Sequence, residues 1–157
     1  MTTESKKGPG PDRAGLPVIL CVDDEPEALN AFRRCFRNEP YQVFTAASPW
    51  EALVWMERLP AVDLLLADER MPGMAGSELL AAVRERHPGT ARAVISGYPT
   101  EDLVRNGLEA GAGAFLYKPW DDDLLRDTVR RILLGRKKET SSAEEDDKDP
   151  FDVGGEG

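Results

Sequence analysis

"LLLADERMPG", residues 64–73, is the stretch whose reading decides the fold. Leu64 to Ala67 form an unbroken apolar run, as in a strand buried on both faces. Asp68, Glu69 and Arg70 follow directly, and Met71-Pro72-Gly73 then breaks the chain. A carboxylate at the end of a buried strand has two readings. Strands have to end, and polar residues end them; or Asp68 is held at a sheet rim for chemistry. The flanking sequence has to decide.

Working outward, strand and helix patterns alternate along the chain. Val18–Val22 is a second continuous apolar strand. Ala28, Leu29, Phe32 and Phe36 give Pro26–Asn38 a helical apolar face, and Pro26 suits a first helical turn. Tyr41–Ala46 reads as a strand, and Ser48-Pro49-Trp50-Glu51 as a capping box opening a helix to about Leu59. After the strand Val62–Ala67 come a helix at Gly76–Arg86 and a short strand at Ala91–Ile95. The helix Thr100–Ala110 has a Thr cap and Gly111 at its end. The strand Ala114–Tyr117 and the helix Asp121–Leu134 close the series. Strands alternating with helices predict an α/β, doubly wound, five-stranded parallel sheet covered on both faces.

Composition limits the function classes. The chain has 157 residues, 41% hydrophobic and 31% charged, which suits one globular domain. No apolar run is long enough to span a bilayer and no signal-peptide core opens the chain, so a cytoplasmic protein without membrane association is expected. Cys21 falls in a strand and Cys35 in a helix, without CxxC spacing, which predicts buried reduced thiols. The net charge of −9 is uneven: residues 137–157 carry eight acids against three lysines. No basic stripe offers a phosphate-backbone footprint, so direct nucleic-acid binding is not expected. The expected organisation is a disordered N-terminal tail at 1–16, one domain at 17–136 and an acidic disordered tail at 137–157.

In a doubly wound sheet, ligands bind outside the carboxyl ends of the strands. Strand one ends in Asp23-Asp24-Glu25, strand three in Asp68, strand four in Ser96-Gly97 and strand five in Lys118-Pro119. Each has a dull explanation alone, but the set converges on one rim. Crowded carboxylates raise one another's pKa unless a cation joins them. Oxygen ligands at a shallow rim suit Mg²⁺, which favours carboxylates plus a phosphate oxygen. A metal-neutralised carboxylate facing a phosphoryl group is a nucleophile placed for phosphoryl transfer.

The segments "ILCVDDEPEALNAF", "LLLADERMPGMAGSELL", "AVISGYP" and "AFLYKPW" resemble the receiver domain of bacterial two-component response regulators, over about residues 17–136. The resemblance implies a flavodoxin-like (CheY-like) fold with strand order 2-1-3-4-5. It implies Asp68 as phosphoacceptor, with a sensor histidine kinase as donor. It implies Asp23 and Asp24 as the acidic pair holding Mg²⁺, with Asp24 favoured over Asp23 as the direct ligand, and the Arg70 backbone carbonyl as a further ligand beside Asp68. Lys118 matches the lysine that pairs with Asp68 at rest and with the phosphoryl group afterwards, and Pro119 the residue after it in a cis bond. Ser96 matches the switch hydroxyl and Phe115 the switch aromatic. Arg70 and Tyr98, each two residues beyond a site residue, are expected to tune the phosphoryl lifetime. The resemblance implies a protein effector at the surface of the fourth helix, fifth strand and fifth helix, and leaves a phosphorylation-dependent dimer open.

Other readings fare worse. An aspartyl-phosphate hydrolase of the haloacid-dehalogenase type needs DxDx[TV] after strand one, where this chain has Asp23-Asp24-Glu25. No GxxxxGK[ST] loop occurs, which disfavours an NTPase. A pseudo-receiver used only for docking would not require the full acidic set. His87, the one histidine, reads as a helix C-terminal surface residue. Trp50, Trp55 and Met56 read as packing residues, and Trp120 as a cover for the proline turn. "VISGYP" and "KPWDDDLLR" also resemble receivers that precede HD-GYP or transcription-activator domains. The initial Met and acidic end favour a stand-alone receiver.

Overall fold

A computed structural model describes residues 13–146, Pro99 excepted. The elements in chain order are β1 (Val18–Val22), α1 (Pro26–Cys35), β2 (Gln42–Ala46), α2 (Pro49–Arg58) and β3 (Leu64–Asp68), then α3 (Gly76–Arg86), β4 (Ala91–Ser96), α4 (Glu101–Glu109), β5 (Ala114–Tyr117) and α5 (Asp122–Asp146). The five strands are parallel and ordered β2-β1-β3-β4-β5. The doubly wound, flavodoxin-like expectation is met, with the same strand order.

The strands alternate between two cores, as a sheet covered on both sides requires. Leu20, Val22, Leu65, Ala67 and Val94 pack against α2, α3 and α4, with Met56, Leu79, Leu80 and Leu103. Ile19, Cys21, Leu64, Leu66, Ala93 and Ile95 pack against α1 and α5, with Phe32, Phe36, Leu125 and Val129. All five residues of β3 are buried, which is why its sequence runs apolar without alternation. Both cysteines are free and buried.

Local signals set the helix starts. The Ser48 hydroxyl accepts from Glu51 N–H at 3.1 Å while the Glu51 carboxylate accepts from Ala47 N–H at 2.8 Å. Thr100 accepts from Leu103 N–H at 3.1 Å. Asp121 accepts from Asp123 and Leu124 N–H at 2.8 and 3.2 Å, so the acidic run there caps a helix. Helix α3 has Ala75 at its cap, which offers no acceptor; Glu69 substitutes, its carboxylate accepting from Ser77 N–H at 2.8 Å and Ser77 Oγ–H at 3.1 Å.

Some expectations shift. Helix α5 runs on to Asp146 rather than ending near Leu134, into the stretch expected to be an acidic disordered tail. The apolar face that marks a docked helix stops at Leu134, but the Lys, Glu and Ala beyond it are good helix formers, so propagation from a formed helix continues. Part of the expected N-terminal tail is also attached: the Arg13 guanidinium donates to the carbonyls of Tyr41 at 2.9 Å and Arg37 at 2.7 Å. Residues 1–12 and 147–157 of the two tails lie outside the described residues. Trp55 packs on Phe44 with centroids 4.9 Å apart, and Met56 is buried, but Trp50 is 55% exposed and lies over the Gly73 turn. Trp120 stacks on Phe32 at 4.7 Å. His87 caps the end of α3 beside Glu57, its Nε2 3.2 Å from the carboxylate. No helix among the described residues is long and apolar enough to cross a membrane.

Candidate functional site

The acids, the lysine and the hydroxyl meet at the carboxyl edge of the sheet because each directly follows, or ends, a neighbouring strand. Asp23 follows β1 and donates its N–H to Ala46 O at 3.1 Å, which extends the ladder by one residue and turns its side chain inward. Its Oδ1 accepts from Glu25 N–H at 3.0 Å, an Asx turn that leads into α1. Asp68 is the last residue of β3, and Lys118 N–H donates to Ser96 O at 2.9 Å beyond the end of β5. Asp23, Asp68 and Ser96 are 0%, 4% and 1% exposed, an unusual depth for two carboxylates.

Lys118 Nζ bridges the acids. It lies 2.8 Å from Asp23 Oδ2, 3.2 Å from Asp68 Oδ1 and 3.5 Å from Glu25 Oε1. Its partner set is thus wider than the Asp68 pairing the resemblance implies, and Asp23 is the nearest member. The sequence puts Glu25 at this rim in Asp23-Asp24-Glu25 without giving it a partner, and the structure pairs it with Lys118. Burial, then the Asp23 charge, push Asp68 up to about 6, only partly offset by Lys118. Burial also raises Asp23. Burial alone would lower Lys118, but its bonds to Asp23 and Asp68 outweigh that and its pKa is raised. The lysine therefore stays charged while the carboxylates remain short of positive charge.

That shortfall fits a divalent cation. Asp23, Asp24 and Asp68 each bring one carboxylate oxygen to within 4.8 Å of the others. Asp23 Oδ2, although close to Lys118, is buried without an aligned hydrogen-bond donor. An all-oxygen donor set in which one lysine serves two buried carboxylates is what a hard cation takes up. Asp24 is exposed and opens the cluster to solvent.

The remaining expected residues surround this cluster. Ser96 Oγ accepts from Tyr98 N–H at 3.0 Å. The Arg70 guanidinium lies 4.4 Å from the centroid of the Tyr98 ring, so the loops after β3 and β4 touch across the rim. Phe115 is half-buried and packs against the α3/α4 core, its ring under Gly107 of α4. The Lys118–Pro119 peptide bond is cis. An open groove of about 630 Å³ runs beside Lys118 between Glu27, Ala31 and Arg34 of α1 and Trp120.

A flavodoxin-like α/β domain with an acidic, lysine-bridged carboxyl edge defines the class of protein. The chain belongs to the response regulator receiver domain family, whose model matches residues 19–130. Members are signalling switches of two-component systems rather than classical enzymes. The chain is similar to the hydrogenase transcriptional regulatory protein HoxA of Cupriavidus necator, 45% identical over 117 residues, 74% of this chain and 24% of that protein. It is 34% identical over 117 residues to sporulation initiation phosphotransferase F of Bacillus subtilis, covering 73% of this chain and 92% of that one. The crystal structure of a CheY-like receiver domain protein from Methanospirillum hungatei superimposes with a TM-score of 0.76 at 31% identity, over 80% of this chain and 99% of that chain. The chain spans about a quarter of the length of the hydrogenase regulators it matches, 24% and 26%.

Proposed function

We propose that this receiver domain takes a phosphoryl group onto Asp68 from the phosphohistidine of a sensor kinase in a Mg²⁺-dependent reaction, and that it relays the change to a protein effector. The observation that carries the reading is the near-complete burial of Asp68 among two further carboxylates and Lys118. Asp23, Asp24, Asp68 and the Arg70 carbonyl would hold Mg²⁺, which would supply the positive charge that neutralises the carboxylates and the incoming phosphoryl oxygens. An Asp68 carboxylate oxygen attacks phosphorus; the P–N bond of the donor breaks, and imidazole leaves with the electron pair. Lys118, already 3.2 Å from Asp68, then pairs with the added charge. The groove beside Lys118 gives a donor helix access from the α1 side.

The test uses phosphoramidate or acetyl phosphate and intact mass. One phosphoryl addition is expected with Mg²⁺ and none in EDTA, with borohydride reduction locating the acyl phosphate at Asp68. Asp24→Ala should fold normally and lose the reaction. Normal phosphorylation of Asp24→Ala in EDTA would sink the metal dependence.

The phosphoryl group adds roughly two negative charges and several acceptors beside Ser96. Ser96 Oγ accepts from Tyr98 N–H, leaving its own proton free to donate to a phosphoryl oxygen. Movement of Ser96 makes room beside β4, and Phe115 turns inward from under α4. The population of the α4-β5-α5 face is thereby biased. That face exposes Leu108, Tyr117 and Leu124, an apolar set suited to an effector or a second receiver. With beryllofluoride as phosphoryl mimic, Ser96→Ala should lose most of the amide shift changes that wild type shows over residues 97–125. A wild-type pattern in the variant would mean that Ser96 does not carry the coupling.

Arg70 and Tyr98 are proposed to set the phosphoryl lifetime together, because they touch. An exposed cation–π contact is worth about 0.5–1 kcal/mol, a several-fold rate effect if it gates water. Arg70→Ala and Tyr98→Ala should each change the hydrolysis rate several-fold, and the double variant by less than the product of the two. Multiplying single effects would show that the residues act separately.

A further inference from the structure

At the opposite edge of the sheet from Asp68, two arginines come together without an acid. Arg92 is the second residue of β4 and shares the α3/α4 face with Val94. Arg84 lies in the last turn of α3. They meet beside Gly111, in the turn after α4. A Cβ on Gly111 would stand 2.9 Å from Arg92 Nη2 and 3.1 Å from Arg84 Nη1. Gly111 has φ +85°, and its N–H donates to Leu108 O at 3.0 Å while Ala112 N–H donates to Gly107 O at 2.9 Å. The missing side chain thus both permits the left-handed turn and lets two guanidinium groups close on the Gly111 backbone.

Several other arginines have carboxylate partners: Arg86 has Glu57, Arg105 has Asp102, Arg126 has Asp123, and Arg130 has Asp127, while Arg33 is met by Asn30 and Thr45 and Arg70 by the Tyr98 ring. Arg92 donates from Nη1 to the Thr90 carbonyl at 2.7 Å, and its Nε is buried with no acceptor. Among the described residues neither Arg84 nor Arg92 forms an ion pair. Burial, and then the neighbouring Arg84 charge, lower the pKa of Arg92. Two like charges at close range are unfavourable, and an anion between the outer guanidinium nitrogens relieves that repulsion.

We propose that Arg84, Arg92 and the Gly111 turn form an oxyanion site, remote from Asp68, that holds a phosphate- or carboxylate-type group between two guanidinium forks. Planar forks match such oxygens in geometry as well as charge. The group comes either from a free phosphate-type ligand or from the acidic run at residues 147–152 of the same chain. Occupancy would anchor the C-terminal turn of α4, the end of that helix away from Ser96.

The test follows the arginine Nε–Hε resonances of the full chain by NMR during titration with inorganic phosphate and with pyrophosphate, in metal-free buffer. A saturable shift of Arg92 is expected, with affinity weakened about tenfold in Arg84→Gln, a residue exposed enough to replace without unfolding. The second arm replaces Asp147, Asp149 and Asp152 together by Asn. If the acidic run is the source, the Arg92 resonance moves without added anion and phosphate then binds more tightly. If the free anion is the source, only the titration moves it. No Arg92 response in either arm, or unchanged phosphate affinity in Arg84→Gln, would overturn the site.

Discussion

Asp68→Asn should accept no phosphoryl group from any donor and yet be more stable than wild type in EDTA at neutral pH. Loss of the reaction follows from loss of the carboxylate that ends β3, since the neighbouring Glu69 is turned away to cap α3. The gain follows from electrostatics: with its pKa pushed from 3.8 to about 6, ionised Asp68 is strained by burial and by Asp23. A shift of that size corresponds to about 2–3 kcal/mol at pH 7. The folded pKa lies above the unfolded one, so the native state binds more protons between pH 4 and 6, and stability falls as pH rises through that window. Asparagine does not titrate. The variant's advantage should therefore be full near pH 7.5, shrink on acidification, and be nearly gone at pH 4, close to the unfolded pKa of 3.8. Saturating Mg²⁺ should also reduce it. Urea unfolding of both proteins at the two pH values checks this; a variant no more stable than wild type at pH 7.5 would refute the account of the crowded rim.

Gly76→Ala should destabilise the protein by about 3 kcal/mol, at the upper end for an added methyl group, whereas Gly107→Ala should be nearly neutral. Both glycines meet comparably short contacts. A Cβ on Gly76, at the start of α3, would lie 2.3 Å from the Asp68 carbonyl oxygen, and backbone at the end of a buried central strand cannot give way. A Cβ on Gly107 would lie 2.4 Å from Phe115 Cε1, a ring at the edge of the sheet that has another rotamer. Alanine in the last turn of α4 also gains up to about 1 kcal/mol of helix propensity over glycine. The Gly76 variant should lose phosphorylation in proportion to the displacement of Asp68; the Gly107 variant should keep it while its Phe115 ring resonances move. Chemical denaturation ranks the two, and equal losses would show that Phe115 is as immobile as the strand.

Much of this was legible in the chain. Unbroken apolar runs such as Leu64–Ala67, alternating with helical spacing, dictate a two-faced parallel sheet because only strands covered on both sides can afford them. The rule that connections are local brings residues after neighbouring strands to one edge, so Asp23, Asp68, Ser96 and Lys118 were identifiable as one cluster. Tertiary structure decided what spacing cannot encode. Glu69, next to Asp68 in the chain, turns away to cap α3, while Glu25 reaches Lys118. Lys118 sits closer to Asp23 than to Asp68 because the depth of each side chain depends on how far its strand extends. Arg70 finds Tyr98, and Arg84 finds Arg92, across loops that sequence separation leaves unrelated. The period of a pattern is local and survives in the sequence, but the direction of a long polar side chain is set by neighbours that only the packed layers bring within reach.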